Sequence, residues 1–369
     1  MTDVREDIHN NRSLPLKIGL VGPFPPPWGG MSVQAESLHG YLVREGFNVT
    51  PIRTNAPFRA PFGWLNNLPV FRAIFRFAQF IKTLLRETKK VDLVHIFSNS
   101  SLSFFLITAP AVVIGKWRFK RVIIHYHGGA AKAFLKRWGF LARPIFLRAD
   151  CILVPSPFLE RIFRQADLKA EVVPNIIDLS KFSFRQRGPI RPICIVTRHL
   201  EKIYNLRLVI HAFQEIVSAF PAAQLWIAGS GSERTALEKE VNRLGLSTAV
   251  SFLGHLNNES LLSVYEKADI FLNGSNIDNA PIAILEAFAL GLPIVSTEAG
   301  GIPDMVEHNR TGLLVPCNDA HTMAEAVLCL LRDSEKSHAL SQNGRKTAER
   351  YTWSVSKKLL LNAYIKRKE

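Results

Sequence analysis

Short apolar runs alternate with segments of helical periodicity along the whole chain. Twelve of these runs are rich in β-branched residues and short enough to be buried parallel strands. Six lie in the first half and six in the second: Lys17–Val21, Val49–Arg53, Leu93–Phe97, Val122–Tyr126, Cys151–Val154 and Glu171–Val173, then Ile193–Val196, Gln224–Ala228, Val250–Leu253, Ile270–Leu272, Pro293–Ser296 and Gly312–Val315. Strands that alternate with helices predict an α/β chain with two doubly wound, Rossmann-like domains.

The chain divides near its middle at a polar, basic, proline-containing stretch. Within it, residues 183–192 are predicted to be a hinge between a first domain over 14–182 and a second over 193–350. Residues 1–13 are polar and predict a flexible N-terminus. Ligands of open α/β sheets bind outside the carboxyl ends of the strands, so we expect those ends to face a central cleft.

The excess charge is confined to one half of the chain. The 369 residues carry 46 Lys and Arg against 31 Asp and Glu, a net charge of +15. Residues 1–189 hold 27 basic and 12 acidic side chains, whereas residues 190–369 hold 19 of each. Such a field attracts nucleic acid, anionic lipid or phosphorylated substrates.

The four cysteines are scattered, which predicts a reducing compartment. The longest apolar stretch, Leu102–Gly115, is too short to span a bilayer.

The most informative segment is Asn273–Thr297, which reads as a strand, a polar loop and a helix. Pro281 is predicted to open that helix and Gly291 to end it. The main-chain amides of a helix N-terminus form an anion site suited to phosphate. Asp278 precedes the helix and Glu286 lies within its apolar face. Without further motifs, a helix cap and a solvated side chain would be the favoured interpretation of the two carboxylates.

Two glycine loops also follow predicted strands. Gly29 and Gly30 lie before a predicted helix start at Ser32, but their spacing is not that of a dinucleotide fold, which disfavours a dehydrogenase. Gly229 and Gly231 form a second, weaker motif that is often only a tight turn.

Together these segments resemble the retaining glycosyltransferases of family 4, which have the GT-B fold. The resemblance rests on the carboxylate pair in Asn273–Thr297 and continues in Val250–Ser275, Val295–Pro316 and Val173–Phe182. It implies transfer of a sugar, with retention of anomeric configuration, from a UDP- or GDP-linked donor. It also implies that a C-terminal helix over 351–369 packs back against the first domain.

The resemblance assigns roles to residues of the second domain. It implies that Glu286 binds the ribose hydroxyls and that Asp278, one methylene shorter than the usual Glu, binds the donor sugar. Arg198 and Lys202 would neutralise the diphosphate leaving group, although Lys202 is one residue nearer to Arg198 than the commoner spacing. The remaining donor-binding assignments are the amides of Asn279, Ala280 and Ile282, the nucleotide-side residues Gly229, Gly231 and His255, and the phosphate-facing Gly29 and Gly30.

His127 follows a predicted strand and precedes Gly128 and Gly129. A lone histidine is usually structural, but the resemblance implies that His127 contacts the donor sugar near the reacting carbon. His125 is expected to point to the opposite face and to be packed. There is no sequence motif for a metal and no convincing nucleophile, so we expect catalysis without metal or cofactor. The resemblance implies the front-face mechanism usually proposed for this family, and the absence of a nucleophile fits that mechanism.

Segments 58–90 and 132–148 combine large apolar side chains with Lys and Arg. In the first, Phe71, Ile74, Phe75, Ala78, Ile81 and Leu85 form a helical stripe. This pattern predicts attachment to an anionic membrane on its cytoplasmic, inner face, with a lipid-linked or lipopolysaccharide-like acceptor in polysaccharide or glycolipid synthesis. The alternative is that the stripes face the core and the charges are only solvated. No nucleic-acid-binding module is recognisable.

Two other functions remain open at the level of sequence. A nucleotide-sugar epimerase would share the fold and the donor site but would need no acceptor. A non-catalytic subunit that binds sugar nucleotides would explain the shorter Asp278 and the displaced Lys202.

Overall fold

The computed structural model describes residues 16–26, 28–56, 69–187 and 189–365. The chain forms two compact units, one of residues 1–176 and 353–369 and one of residues 177–352. The predicted flexible N-terminus at 1–13 and part of the basic segment 58–90 lie outside the described residues.

All twelve predicted strands are present, and each begins and ends within one residue of its predicted position. They are β1 (Lys17–Gly22), β2 (Asn48–Arg53), β3 (Leu93–Ser98), β4 (Arg121–Tyr126), β5 (Cys151–Val154), β6 (Glu171–Val172), β7 (Ile193–Thr197), β8 (Gln224–Ala228), β9 (Val250–Gly254), β10 (Ile270–Asn273), β11 (Ile294–Thr297) and β12 (Leu313–Val315).

Twelve α-helices connect or follow the strands in the described residues. They are α1 (Gly30–Arg44), α2 (Pro69–Glu87), α3 (Ala109–Trp117), α4 (Ala131–Arg148), α5 (Pro157–Gln165), α6 (Leu206–Ala219), α7 (Arg234–Arg243), α8 (Asn258–Lys267), α9 (Ile282–Leu290), α10 (Ala320–Arg332), α11 (Ser334–Ala348) and α12 (Trp353–Ile365). A short π-helical turn, Phe104–Thr108, leads directly into α3.

Each unit contains one parallel, six-stranded sheet. The strand order is β2-β1-β3-β4-β5-β6 in the first and β12-β11-β10-β7-β8-β9 in the second. Parallel strands need crossover connections, and the helices that provide them cover both faces of the sheet. The strands are therefore buried on both sides, which explains why they read as continuous apolar runs. The predicted architecture of two Rossmann-like units is confirmed.

The first sheet has a different helical layer on each face. One face packs against α2, α3 and α4 through Phe80, Leu84, Val112, Phe134 and Phe146. The other packs against α1 and α12, through core residues that include Leu38, Leu42, Leu360 and Tyr364. The chain thus returns to its first unit after completing the second.

Polar contacts hold α12 on the first unit. The Arg121 guanidinium donates to the Ala363 carbonyl at 2.8 Å, and Ser356 Oγ donates to the Pro174 carbonyl at 3.2 Å. The Tyr364 hydroxyl lies 3.0 Å from Nδ1 of His95, a buried strand residue. The helix predicted over 351–369 is described from Trp353 to Ile365.

The segment predicted as a hinge is bound to the second unit. Arg185, Arg187 and Arg191 surround the carboxylate of Asp269, which is 2% exposed. The Arg187 side chain, 3% exposed, also donates to the carbonyls of Ala268 and Leu290 at 3.0 and 2.8 Å. Burial lowers the pKa of Arg187 to about 10, although Asp269 opposes that shift. The first unit ends at Ile176, ahead of the predicted boundary at 182.

Candidate functional site

The loop after β7 is pressed against the loop after β8. The amide of Arg198 donates to the Ala228 carbonyl at 3.0 Å. Gly229 has φ +152°, and a Cβ there would lie 1.8 Å from the Arg198 carbonyl oxygen. A Cβ at Gly231 would lie 2.4 Å from the Leu200 carbonyl oxygen. Both glycines are therefore required for close backbone approach, which fixes the position of Arg198.

Arg198 forms an ion pair with Asp278, the first predicted carboxylate. Its Nε also donates to Asn273 Oδ1 at 3.3 Å, and its guanidinium lies 4.7 Å from the centre of the Tyr204 ring. Both members of the pair are largely buried. The structure thus brings together the cation predicted to bind phosphate and the carboxylate predicted to bind sugar.

Hydrogen bonds and a close glycine contact also fix the backbone around Asp278. Asp278 Oδ1 accepts from the Asn279 amide at 2.8 Å, and the Asp278 carbonyl accepts from the Gly301 amide at 2.9 Å. Gly300 has φ +59°, and a Cβ there would lie 2.0 Å from that carbonyl oxygen. The shorter carboxylate therefore sits on a closely packed turn and reaches Arg198 from it.

Glu286 lies on α9 and belongs to a second hydrogen-bonded group. The Tyr265 hydroxyl donates to Glu286 Oε2 at 3.0 Å and lies 2.5 Å from Thr197 Oγ1. Burial raises the pKa of Glu286 to about 7, while the Tyr265 hydroxyl and the Arg198 charge oppose the rise. Arg198, Asp278 and Glu286 thus form one electrostatically connected group at the carboxyl ends of β7 and β10.

Helix α9 begins one residue after its predicted start and ends where predicted. Pro281 is its N-cap, and Gly291, with φ +72°, is its C-cap. Asn279, Ala280 and Pro281 are buried, whereas Ile282 is partly exposed. The Asn279 amide, predicted to face a diphosphate, donates to Asp278 in this structure.

Lys202 and His255 lie at the margin of this group. Lys202 is exposed and begins the short helical turn Lys202–Tyr204. His255 is exposed directly after β9, whose last residue, Gly254, accepts a hydrogen bond from the Gly229 amide at 2.7 Å. Both are positioned by loops beside Arg198, and their predicted contacts with the donor remain predictions.

In the first unit, His127 extends the ladder of β4. Its amide donates to the Ser98 carbonyl at 2.9 Å, and its ring stacks on Phe97 with centroids 5.2 Å apart. Burial, with smaller contributions from His125 and His95, holds the pKa of His127 well below its usual value. Its Nε2 atom is buried and has no hydrogen-bond partner among the described residues.

The expectation for His125 is half wrong. The residue is buried, as predicted, but its ring centroid lies 4.2 Å from that of His127. Residues two apart on a strand point to the same face, so the expectation of opposite faces misapplied the alternation. The rings of His95, His125 and Phe97 therefore form the packed surface on which His127 rests.

The two glycine sites of the first unit differ in kind. Gly29 is the N-cap of α1, which begins at Gly30 and not at Ser32 as predicted; the Gly29 amide donates to Ser32 Oγ at 2.9 Å. Gly128, after His127, allows a close approach, because a Cβ there would lie 2.3 Å from Ser100 Oγ.

Three residues of the group in the second unit were not singled out from the sequence: Thr197, Tyr265 and Asn273. Thr197 and Asn273 are the last residues of β7 and β10, so a search for polar side chains at strand ends would have found them. Tyr265 lies on α8, within an ordinary amphipathic pattern, and carries no local signal.

The described residues contain no set of three or more His, Cys, Asp or Glu side chains placed to hold a metal ion. Over the same residues, no helix is both long enough and apolar enough to cross a membrane.

Comparison with known proteins assigns the chain to a family. The profile of Glycosyltransferase Family 4 matches residues 28–181, and that of Glycosyl transferases group 1 matches residues 181–347. The chain belongs to glycosyltransferase family 4. The two matches adjoin, so they leave only the ends of this family 4 chain outside them.

Curated relatives align with parts of this family 4 chain. A D-inositol 3-phosphate glycosyltransferase of Corynebacterium urealyticum is 31% identical over 172 residues, which are 45% of this chain and 41% of the relative. A GDP-mannose-dependent alpha-(1-6)-phosphatidylinositol monomannoside mannosyltransferase of Mycobacterium tuberculosis is 30% identical over 200 residues, which are 47% and 50%. The chain thus spans half or less of the length of these relatives.

The fold of this family 4 chain is found in a solved structure over nearly its full length. Anabaena HepE in complex with UDP and glucose superimposes with a TM-score of 0.72 and 18% identity, covering 95% of this chain and 99% of HepE. At that identity the likeness establishes the GT-B fold.

Proposed function

We propose that this protein transfers a sugar from a nucleotide-sugar donor to an acceptor with retention of anomeric configuration. The observation that carries the proposal is the group in the second unit, where Arg198 is paired with Asp278 beside Glu286. One cation and two carboxylates lie at the carboxyl ends of the strands of one sheet. They suit the three parts of a nucleotide sugar: Arg198 the diphosphate, Asp278 the sugar and Glu286 the ribose.

Arg198 is suited to stabilise the leaving group. Negative charge grows on the diphosphate as the glycosidic bond breaks, and a pre-positioned guanidinium stabilises that charge without reorganisation. Asp278 compensates the buried Arg198 and becomes available to sugar hydroxyls when a diphosphate takes over that role. In this proposal the reaction needs no metal ion.

Glu286 is suited to bind the ribose. An ionised carboxylate accepts hydrogen bonds from two vicinal hydroxyls, and Tyr265 orients it from one side. In the first unit, the buried Nε2 of His127 is left for a substrate hydroxyl. We assign the donor to the second unit and the acceptor to the first.

The donor is a UDP- or GDP-linked sugar. HepE was crystallised with UDP and glucose, whereas the mycobacterial relative is named for GDP-mannose. The proposed acceptor is a lipid-linked or lipopolysaccharide-like glycan, a class to which phosphatidylinositol mannosides are chemically close. This acceptor would place the enzyme at the inner face of the plasma membrane, attached through segments 58–90 and 132–148.

A donor panel tests the transfer. UDP- and GDP-linked sugars are incubated with the protein, with and without a membrane lipid extract, and the released nucleotide is measured. We expect one donor to release nucleotide only when extract is present, and expect Glu286→Ala and His127→Ala to abolish the release. A changed sugar without acceptor would instead identify an epimerase, and tight donor binding without turnover a non-catalytic subunit.

Charge reversal tests the membrane attachment separately. Lys132, Lys136 and Arg137 are exposed on α4, and each cation near an anionic surface contributes about 1 kcal/mol. Changing all three to Glu should weaken binding to phosphatidylglycerol vesicles by at least about 100-fold. The matched control changes Lys239, Lys267 and Arg332, exposed in the second unit, to Glu. Equal vesicle binding by both triple variants would refute attachment through α4.

A further inference from the structure

Exposed apolar side chains are concentrated on one helical layer of the first unit. Among the described residues, twenty large apolar side chains are exposed, and twelve of them lie on α2, α3, α4 and the turns beside α3. They are Ile74, Phe75, Phe77, Leu102, Leu106, Val113, Trp117, Phe119, Trp138, Phe140, Leu141 and Leu147. The predicted stripe on α2 is therefore partly outward: Phe80 and Leu84 face the core instead.

This layer is continuous. The three helices pack on the same face of the first sheet, and α3 contacts both α2 and α4. The ring of Phe105, just before α3, lies 6.0 Å from that of Trp138 on α4. The exposed residues are thus parts of one surface, which includes α3, a helix outside the two segments predicted to bind the membrane.

The same layer is almost free of acidic residues. Residues 73–87, 102–120 and 131–148 contain eleven Lys and Arg but one acidic side chain, Glu87. That carboxylate is buried and paired with Arg86 and Lys90. Two of the eleven cations are paired with carboxylates outside these ranges, Lys116 with Asp150 and Arg143 with Asp167. An apolar surface with such an excess of cations is complementary to anionic lipid headgroups over acyl chains.

The most exposed aromatic of the layer sits on the turn after α3. Phe119 is 96% exposed and Trp117 is 66% exposed. The Phe119 amide donates to the Lys116 carbonyl at 2.9 Å, and the Lys120 amide donates to the Gly115 carbonyl at 2.9 Å. The turn is therefore an ordered helix end.

Phe119 is an unfavourable residue for this turn as far as folding is concerned. It has φ +55°, the left-handed conformation in which glycine usually ends a helix. A residue with a Cβ costs about 1 kcal/mol or more there, and an exposed ring recovers none of that cost by burial. The ring is thus better explained by a contact outside the folded chain.

The neighbours of Phe119 identify that contact. Arg118 and Lys120 flank Phe119 in the sequence, and the Arg118 guanidinium lies over the Trp117 ring at 4.9 Å. Aromatic rings with adjacent cations are favoured at the boundary between headgroups and acyl chains. We propose that the turn Trp117–Lys120 inserts into the interface of an anionic bilayer and anchors the layer formed by α2, α3 and α4.

This inference rests on the membrane attachment proposed above and adds its point of insertion. The turn precedes β4, whereas His127 follows that strand. Six strand residues span about 20 Å, so the anchor lies at the amino end of β4 and His127 lies about 20 Å away, at its carboxyl end. Insertion at Phe119 therefore leaves the carboxyl ends of the strands, where His127 lies, open to a glycan extending from the bilayer.

Phe119→Gly separates folding from membrane binding. Because glycine adopts positive φ freely, this variant should melt at a higher temperature than the unaltered protein. Its binding to vesicles of phosphatidylcholine and phosphatidylglycerol should weaken about tenfold, through loss of the buried ring. Phe119→Trp should retain binding, and its fluorescence should be quenched by brominated lipid. Val43→Ser, which changes an exposed apolar residue on α1, is the matched control.

Each outcome decides one question. Unchanged vesicle affinity of Phe119→Gly, with normal binding by the unaltered protein, would refute insertion at this turn and leave the attachment through α4 standing. Loss of binding together with a lower melting temperature would refute the strain argument and the inference with it. If the unaltered protein binds no anionic vesicle, the membrane attachment itself fails, while the donor panel still tests sugar transfer.

Discussion

The two units share one architecture but differ in how they use charge. Both contain a parallel, six-stranded sheet covered by helices. Residues 1–176 and 353–369 hold 29 Lys and Arg against 12 Asp and Glu, whereas residues 177–352 hold 17 against 19. The first unit carries its cations among exposed apolar side chains. In the second, arginines are buried beside carboxylates, as in the Arg198–Asp278 and Arg187–Asp269 pairs.

The difference shows that net charge and the recognition of charge are separate properties. The second unit has no excess of cations, yet it holds the group best suited to a diphosphate. A single guanidinium in a desolvated position acts more strongly on a nearby anion than many solvated lysines do. The excess charge of the first unit acts at longer range and suits a surface. Variants in each unit should therefore affect different measurements.

Arg198→Ala should have the largest effect. Removing the positioned guanidinium should lower kcat/KM for nucleotide release by about 100- to 1,000-fold, as loss of a transition-state hydrogen-bond donor does. Arg198→Lys should recover part of the rate, because it keeps the charge. Vesicle binding should not change. The control is Arg234→Ala, which removes an exposed pair with Glu238. Normal turnover by Arg198→Ala would assign the leaving group to other residues.

Asp269→Asn should mainly affect stability. Burial alone would raise the pKa of Asp269, but hydrogen bonds from Arg191 make the net shift downward. The substitution leaves buried Arg187 without its counter-ion, and breaking such a pair costs about 3 kcal/mol of unfolding free energy. Urea denaturation measures the loss. Glu238→Gln, at an exposed pair, should cost less than about 1 kcal/mol. Equal losses in the two variants would contradict this use of charge in the second unit.

Glu286 should make nucleotide binding depend on pH. With a pKa of about 7, the carboxylate is mostly ionised above that pH and mostly protonated below it. Affinity should therefore rise by about tenfold between about pH 6 and pH 8, because only the ionised form accepts two hydroxyl hydrogen bonds. Tyr265→Phe removes a donor to the carboxylate, so the midpoint should move to higher pH.

Calorimetric titration across that range measures the effect. Glu286→Gln is the necessary control, because a terminal phosphate of the nucleotide also titrates in this region. The pH dependence that Glu286→Gln removes is the part due to the carboxylate. An identical pH profile in this variant would mean that Glu286 does not contact the ribose.

Much of the fold could be predicted because buried parallel strands have a local signature. The run Cys151–Val154 is short, apolar and bounded by Asp150 and Pro155, and it is a strand within those bounds. The helix after Asp278 was predictable for a similar reason, since Pro281 and Gly291 mark its ends. These features depend on neighbours in sequence.

Features that depend on distant residues were not predictable. Asp278 pairs with Arg198, eighty positions earlier, and no local pattern announces that the sugar-binding carboxylate compensates the phosphate-binding cation. Tyr265 reaches Glu286 from another helix. The outward side of α3 was hidden because its run of apolar residues looks the same whether one face or all faces are buried.

The return of α12 to the first unit has a consequence for biosynthesis. On the ribosome, the residues that pack against Leu38 and His95 from α12 are made only after the whole of the second unit. Until then α1 covers only part of that face of the sheet, and the part that α12 will cover stays exposed, a state in which chaperones bind apolar surface. The chain leaves the first unit after residue 176 and returns to it at residue 353. The two segments at these points lie side by side, since Ser356 bonds to Pro174 and Ile177 bonds to Tyr351. The second unit is thus an insertion into the first, and joining residue 176 to residue 353 through a short linker would give a first unit that folds without delay.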